Sequence, residues 1–285
     1  MAKDKKISGY GSGDVKTVMS VEDVAKEAAE LSRNKPSRKD LLELTGNDEF
    51  LSIESLTAGY GAMDILHSID LVVGKGQSIC LIGPNGAGKS TILHSIYGFT
   101  NIRSGKIIAN GKDVTKLKPN QKLSSAGIAY ILQDNSVFPD MTVTENLLMG
   151  GYLMPNPAKA KQKADELLNR YDRLAKRRNQ PARVLSGGER RLLEISRALM
   201  MEPNVLLVDE PSIGLEPKYI DMVFEILHEL QHELGKTIIM VEQNAKKGLD
   251  FADFGYVLVA GEIAMAGKGN DLLEDPHVGR LFLGG

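Results

Sequence analysis

The run GPNGAGKST places Gly83, Pro84, Asn85, Gly86, Ala87, Gly88, Lys89, Ser90 and Thr91 in one short loop. Its fixed positions, Gly83, Gly88, Lys89 and Ser90, have the spacing of a phosphate-binding loop. Glycines let the backbone curl so that several N–H groups point at one anion, and the helix that follows adds its positive end. Lys89 is then expected to reach the β- and γ-phosphates of a nucleotide, with the Ser90 hydroxyl on Mg²⁺. A second group lies far along the chain in NVLLVDEP, where Asp209 ends an apolar run and Glu210 follows it. An Asp–Glu pair after a strand is often only a solvated strand end. Paired with the phosphate loop, Asp209 becomes a metal-side carboxylate and Glu210 the group that polarises an attacking water. Two further stretches carry polar chemistry at element ends. Ser186, Gly187 and Gly188 open a helix, which presents a hydroxyl and bare N–H groups at its positive end. Glu242, Gln243 and Asn244 follow the short apolar run TIIMV.

These groups need a scaffold. The run ICLI leads into the phosphate loop and TILHSIYG continues from it as a helix, the strand–loop–helix context such a loop requires. NVLLV and TIIMV read as buried strands, because branched apolar residues dominate runs of strand length. Between them PKYIDMVFEILHELQHELG is an amphipathic helix, with Tyr219, Val223, Ile226, Leu227, Leu230 and Leu234 on one side and Gly235 closing it. Strand, helix, strand from Val205 onward implies a parallel sheet that gathers its ligand at the carboxyl ends of the strands. Ahead of it, LSIESLTAGYG, HSIDLVV and SGKIIANGKDV predict antiparallel pairing, with Asn110-Gly111 as a two-residue turn. YVLVAGEIAMAG reads as a hairpin. Residues from about 147 to 183 are polar, helical in flavour and punctuated by Pro155, Pro157 and Pro181.

The 285 residues, 42% hydrophobic, suffice for one large or two small cores. With a formal net charge of -2, nothing suggests nucleic-acid binding driven by bulk charge, and a local basic patch stays open. Cys80 is the only cysteine, which fits a reducing cytoplasm and a buried strand position better than a reactive thiol. No apolar run approaches the roughly 18 residues of a spanning helix, and the lysines at the amino terminus have no apolar segment behind them. The chain is therefore expected to be soluble and to reach a membrane only through a partner. Residues 1–47 differ in texture. SVEDVAKEAAELSR has a capping-box spacing at Ser20 and Asp23, and a second short helix is expected from Ser37 to Leu44. This extension reads either as a loosely attached appendage or as a docking element.

With VLSGGERRLLEISRALM the chain resembles the ATP-binding subunits of ABC transporters, whose signature motif reads as Leu185 to Glu189 does. The resemblance covers residues 50 to about 283. It implies an α/β fold with a P-loop NTPase (ABC ATPase) core, a mostly parallel sheet, an antiparallel β subdomain and an α-helical subdomain at about 135–185. The domain would span 48–285. It also implies that two such domains pair head to tail, each signature loop closing on the other's ATP. By the same resemblance Tyr60 stacks on adenine, and Gln133 senses Mg²⁺ and water and links to the membrane subunits. Leu132 there stands where proline is common. Ser212 to Pro217 matches the loop by which paired domains communicate, with Glu216 in place of the usual aspartate. The family's switch histidine falls at Gln243, which can donate and accept hydrogen bonds but cannot carry a proton as imidazole does.

VEQNA, together with VFPDMTVTENLLMG, resembles one subfamily, the second ATP-binding subunit of branched-chain amino acid uptake systems, in which this glutamine is ordinary. The resemblance thus implies an ATP- and Mg²⁺-dependent ATPase on the cytoplasmic face of the inner membrane. Its implied partners are permease subunits, a paralogous ATP-binding subunit or a second copy of the chain, and indirectly a periplasmic binding protein, with no nucleic acid. Urea or amide import, lipopolysaccharide export and a non-hydrolysing nucleotide sensor are the alternatives. Nucleic-acid-acting relatives would need a long insertion between Gln133 and Ser186, or two nucleotide units in one chain, and the sequence has neither.

Overall fold

The structure, a computed structural model, describes residues 35–133 and 136–282. The helix expected near Ser20 lies outside them. The first element is α1 (Arg38–Leu44), which starts where the sequence predicts because Ser37 and Asp40 form a reciprocal capping box. The described end of the extension is held against the rest of the chain. Leu41 is fully buried, α1 packs on strands introduced below, and Arg38 pairs with Glu49 and Glu54.

Two sheets follow. β1 (Leu51–Tyr60), β2 (Met63–Val73), β4 (Asn101–Ala109) and β5 (Lys112–Asp113) form an antiparallel sheet in the order β2-β1-β4-β5. Asn110 and Gly111 both have positive φ in the turn that joins its last two strands, as a two-residue hairpin demands. The second sheet runs β10-β9-β3-β8-β7-β6, using β3 (Ser78–Ile82), β6 (Ile128–Ile131), β7 (Val205–Asp209), β8 (Thr237–Val241), β9 (Phe254–Val259) and β10 (Glu262–Lys268). Only the β9–β10 hairpin is antiparallel; the other four pairings are parallel.

β3, β7 and β8 are buried along their whole length, which is why their sequences are apolar throughout and do not alternate. Alternation is nevertheless present in space. Cys80, Ile82, Ile238 and Met240 enter one core with the helices, while Ile79, Leu81, Ile239 and Val241 enter another against the antiparallel sheet. Burial also pushes the Cys80 thiol well above its usual pKa, as expected of a structural cysteine.

α2 (Lys89–Tyr97) follows β3, and α3 (Pro119–Ser124) precedes β6. The central stretch is helical: α4 (Val143–Gly150), α5 (Pro157–Arg170), α6 (Asp172–Ala175) and α7 (Gly187–Leu199). Thr142 and Glu145 cap α4 reciprocally, as Ser186 and Glu189 cap α7. α8 (Pro217–His232) joins β7 to β8 and buries Val223, Ile226, Leu227 and Leu230. Leu234 departs from the sequence reading: the helix has ended before it, and its side chain is exposed. α9 (Ala245–Phe251), α10 (Gly269–Glu274) and α11 (Pro276–Phe282) complete the chain. α1 rests on β2 and β10. Among the described residues no helix is long and apolar enough to cross a membrane.

Because the strands are parallel, the loops after β3, β6, β7 and β8 open at one edge of the sheet. Those loops, with the first turn of α2, hold Gly83–Thr91, Gln133, Glu210 and Gln243. The sheet is what brings the four together.

Candidate functional site

At that edge lies a cleft of about 540 Å³. Tyr60, Asn85, Gly86, Gly88, Lys89, Ser90, Thr91, Gln133, Glu210 and Gln243 line it, with Ile65 and Ile213. Residues separated by up to 183 positions thus share one surface.

The phosphate loop is bare backbone for a steric reason. Gly83 has φ 151°, and a Cβ there would lie 2.2 Å from the carbonyl oxygen of Leu258 on β9. No L side chain fits, so the curl depends on that glycine. Gly88 turns the loop into α2, whose first N–H groups have no partner within the helix. Lys89 Nζ donates to the carbonyl oxygens of Gly83 and Pro84 at 2.8 and 3.0 Å, so the ammonium sits inside the curl. Burial lowers its pKa, opposed by the charges of Glu210 and Asp209. A polyphosphate fits this cradle: it is concave, lined by N–H donors and holds one partly desolvated cation.

Asp209 ends β7 almost fully buried. Oδ1 accepts from the Ser90 hydroxyl at 3.0 Å and Oδ2 from the Tyr130 hydroxyl at 2.7 Å. A hydroxyl and a carboxylate held together beside a phosphate loop are hard oxygen ligands of the kind Mg²⁺ takes. Glu210, one residue on, adopts φ 42°, a left-handed conformation uncommon for a residue with a side chain. Its N–H donates to Val241 on β8 at 2.8 Å, which holds the turn. Oε2 of Glu210 accepts from Gln133 Nε2 at 2.9 Å. The two residues read from the sequence as water-handling groups are therefore hydrogen-bonded to each other.

The strand end after β8 divides into three. Glu242 is buried; its Oε1 accepts from the Ser212 hydroxyl at 2.8 Å and from the Asn244 N–H at 2.9 Å. Asn244 caps α9 by accepting from the Lys247 N–H. Gln243 alone is exposed to the cleft. Ser186, Gly187 and Gly188 do not line the cleft. Ser186 Oγ accepts from the Glu189 N–H at 3.3 Å at the start of α7, leaving the two glycine N–H groups at the helix end. Glu216 in the loop after β7 is exposed and pairs with Lys218 at 2.9 Å.

Some contributors have no sequence motif. Tyr130 bears directly on Asp209, and burial, reinforced by that carboxylate, raises its phenol pKa. His94 on α2 is hydrogen-bonded through Nδ1 to the Tyr60 hydroxyl and packs against Phe99 and Tyr130. Burial lowers its pKa. The only sequence signal for this aromatic cluster is the placement of Tyr97, Phe99 and Tyr130 near element ends.

Comparison with known proteins follows the same lines. A family model described as ABC transporter matches residues 66–213. The chain is 41% identical over 235 residues to the high-affinity branched-chain amino acid transport ATP-binding protein BraG of Pseudomonas aeruginosa, covering 82% of this chain and 100% of BraG. It is 38% identical to a probable branched-chain amino acid transport ATP-binding protein LivF of Archaeoglobus fulgidus, covering 80% and 96%. The lipopolysaccharide export system ATP-binding protein LptB of Haemophilus influenzae is 32% identical, with 82% and 97% covered. Among solved structures, an ATP-binding cassette of an ABC transporter in its ADP conformation superposes with a TM-score of 0.73 at 30% identity, covering 83% of this chain and 99% of that one.

Proposed function

Since the chain belongs to the ABC transporter family as an ATP-binding subunit, we propose that it drives an importer of branched-chain or other neutral amino acids by hydrolysing Mg²⁺–ATP. The observation that carries the catalytic reading is the convergence of Lys89, Ser90, Asp209, Glu210, Gln133 and Gln243 on one cleft edge. The Gly83–Thr91 backbone and Lys89 hold the phosphates, and Tyr60 stacks on the adenine. Ser90, Asp209 and Gln133 hold Mg²⁺, which supplies charge neutralisation on the phosphate oxygens. Glu210 orients the attacking water and takes up its proton. Gln243 positions water or γ-phosphate by hydrogen bonding, with no proton transfer.

Ser186, Gly187 and Gly188 serve the nucleotide of a second ATP-binding subunit, a paralogue or another copy of this chain. ATP held between the two stabilises the closed pair, and hydrolysis resets it. The membrane subunits are permeases. A groove of about 320 Å³ beside the Gln133 loop, with Phe138, Met149 and Tyr152 at its surface, suits an apolar helix from one of them. A periplasmic binding protein delivers the amino acid. The cargo assignment rests on BraG and LivF, since no residue of this cleft meets the cargo.

Turnover by the chain assembled with its membrane subunits tests this reading. Wild type is expected to hydrolyse ATP well above Lys89→Ala, and Glu210→Gln to trap an ATP-bound dimer. Wild-type turnover no greater than that of Lys89→Ala would leave a nucleotide sensor as the better reading.

A further inference from the structure

Arg191 is a charged residue that the catalytic reading does not use. It lies in the second turn of α7, just past the Ser186–Gly188 loop, and is 4% exposed. A buried guanidinium is costly unless every donor is met. Here all five N–H groups have partners, the full complement arginine offers. Nε donates to the carbonyl oxygen of Pro211 at 3.2 Å. Nη1 donates to the Leu132 carbonyl at 2.8 Å and to Glu194 Oε2 at 2.9 Å. Nη2 donates to the carbonyls of Gln133 and Glu210 at 3.1 and 3.2 Å.

Four of the five acceptors are main-chain oxygens, and they come in two adjacent pairs. One pair is the turn that presents Gln133 to the cleft; the other is the turn that presents Glu210. The side chains of those two residues are themselves bonded to each other. One planar group on α7 therefore fixes the backbones of both.

We propose that Arg191 is a positioning residue that ties the Gly187 end of α7 to the turns carrying Gln133 and Glu210, so that a nucleotide meeting Ser186–Gly188 moves the hydrolytic pair of this chain's own cleft. The catalytic half of this inference rests on the ATPase reading above; the mechanical half does not. Planarity is essential, because the acceptors are spread around the fork. Lysine carries the charge but offers three donors from one point, and cannot span both turns. Glu194 pairs with the guanidinium at Nη1, while the four bonds to the turns go to main-chain carbonyls.

Arg191→Lys, Arg191→Gln and Glu194→Gln in the full chain test the proposal with two readouts. Amide hydrogen exchange reads the tie itself. In both Arg191 variants exchange is expected to quicken by about tenfold or more at residues 131–133 and 210–213, with 83–91 unchanged. Turnover with the membrane subunits reads its consequence. kcat is expected to fall by about tenfold or more while the ATP dissociation constant stays within about threefold. Glu194→Gln keeps an acceptor for Nη1 and all four carbonyl bonds, and is expected to hold kcat within about threefold of wild type.

Wild-type exchange and turnover in Arg191→Lys would overturn the proposal, because charge alone would then suffice. So would a loss in folded Glu194→Gln as large as that in the Arg191 variants. Faster exchange throughout the chain, 83–91 included, would show a merely structural role. If the Arg191 variants do not fold, a fall in kcat of about tenfold or more in folded Glu194→Gln, with all four carbonyl bonds kept, overturns the proposal. A wild-type complex without turnover would refute the ATPase reading while exchange still decides the tie.

Discussion

Gly188→Ala offers a test of packing at the start of α7. A Cβ built on Gly188 lies 2.2 Å from Cδ1, 2.5 Å from Cγ and 2.8 Å from Cε1 of Tyr219, in the first turn of α8. Ordinary contact begins at 3.4 Å, so the ring must retreat by about 1.2 Å. Cγ is the near end of that ring, and swinging the phenol tip does not relieve the clash. Either Tyr219 must leave its χ1 rotamer, or the start of α8 or of α7 has to move. Overpacking of this kind costs roughly 1–3 kcal/mol. At about 2–4 °C per kcal/mol for a chain of this size, the melting midpoint should drop by roughly 2–12 °C. Calorimetric melting of Gly188→Ala, Tyr219→Ala and the double variant forms a cycle. The clash exists only when both side chains are present, so the double variant should recover at least about 1 kcal/mol relative to the sum of the singles. An unchanged midpoint in Gly188→Ala, or strictly additive losses, would refute the reasoning.

Two other outcomes follow from features of the same fold. Gln243→His should retain turnover, whereas Gln243→Ala should lower kcat by roughly 10²-fold with a much smaller change in ATP affinity, the pattern of a lost hydrogen bond made during reaction; steady-state kinetics with a separate binding assay check it, and equal turnover in Gln243→Ala and wild type would contradict it. Lys122 on α3 is fully buried with no hydrogen-bond partner for Nζ, and burial lowers its pKa from 10.5 to about 8. Between those values the unfolded chain holds the proton that the folded chain has released, so wild-type stability should rise with pH across that window. Lys122→Met should therefore be the more stable protein at pH 7, by up to roughly 3 kcal/mol, and its advantage should shrink from pH 8 to 10.5. Denaturant titrations at several pH values check this, and a pH-independent difference would count against it.

The parts of the molecule legible in the sequence are those whose constraint is local. A two-residue turn needs positive φ twice, and Asn110-Gly111 announces it. A helix start needs its N–H groups capped, and the starts expected at Ser37 and Ser186 are capped by Asp40 and Glu189, each three residues on. The phosphate loop is legible because its glycines answer to backbone geometry.

Arg191 escaped because four of its five acceptors are main-chain carbonyls, which any residue type supplies and no motif records. Tyr130 escaped because it reaches Asp209 across 79 positions of chain. Glu242 and Gln243 look equivalent as neighbours in sequence. Only the sheet reveals that one is turned into the protein toward Ser212 and the other toward the cleft.

Ser186–Gly188 lies outside the cleft that this same chain builds from Gly83–Thr91, and on the proposed pairing of two subunits that has a genetic consequence. In a pair of unlike subunits, each pocket is inherited from two genes, with four halves that mutate separately. Damage at Lys89 would silence the pocket this chain owns. Damage at Gly188 would silence the pocket owned by its neighbour. Crosses between the two lesions in a self-paired chain would yield some dimers with one pocket wholly intact and the other doubly broken. Such a strain would report whether one working pocket is enough to move cargo.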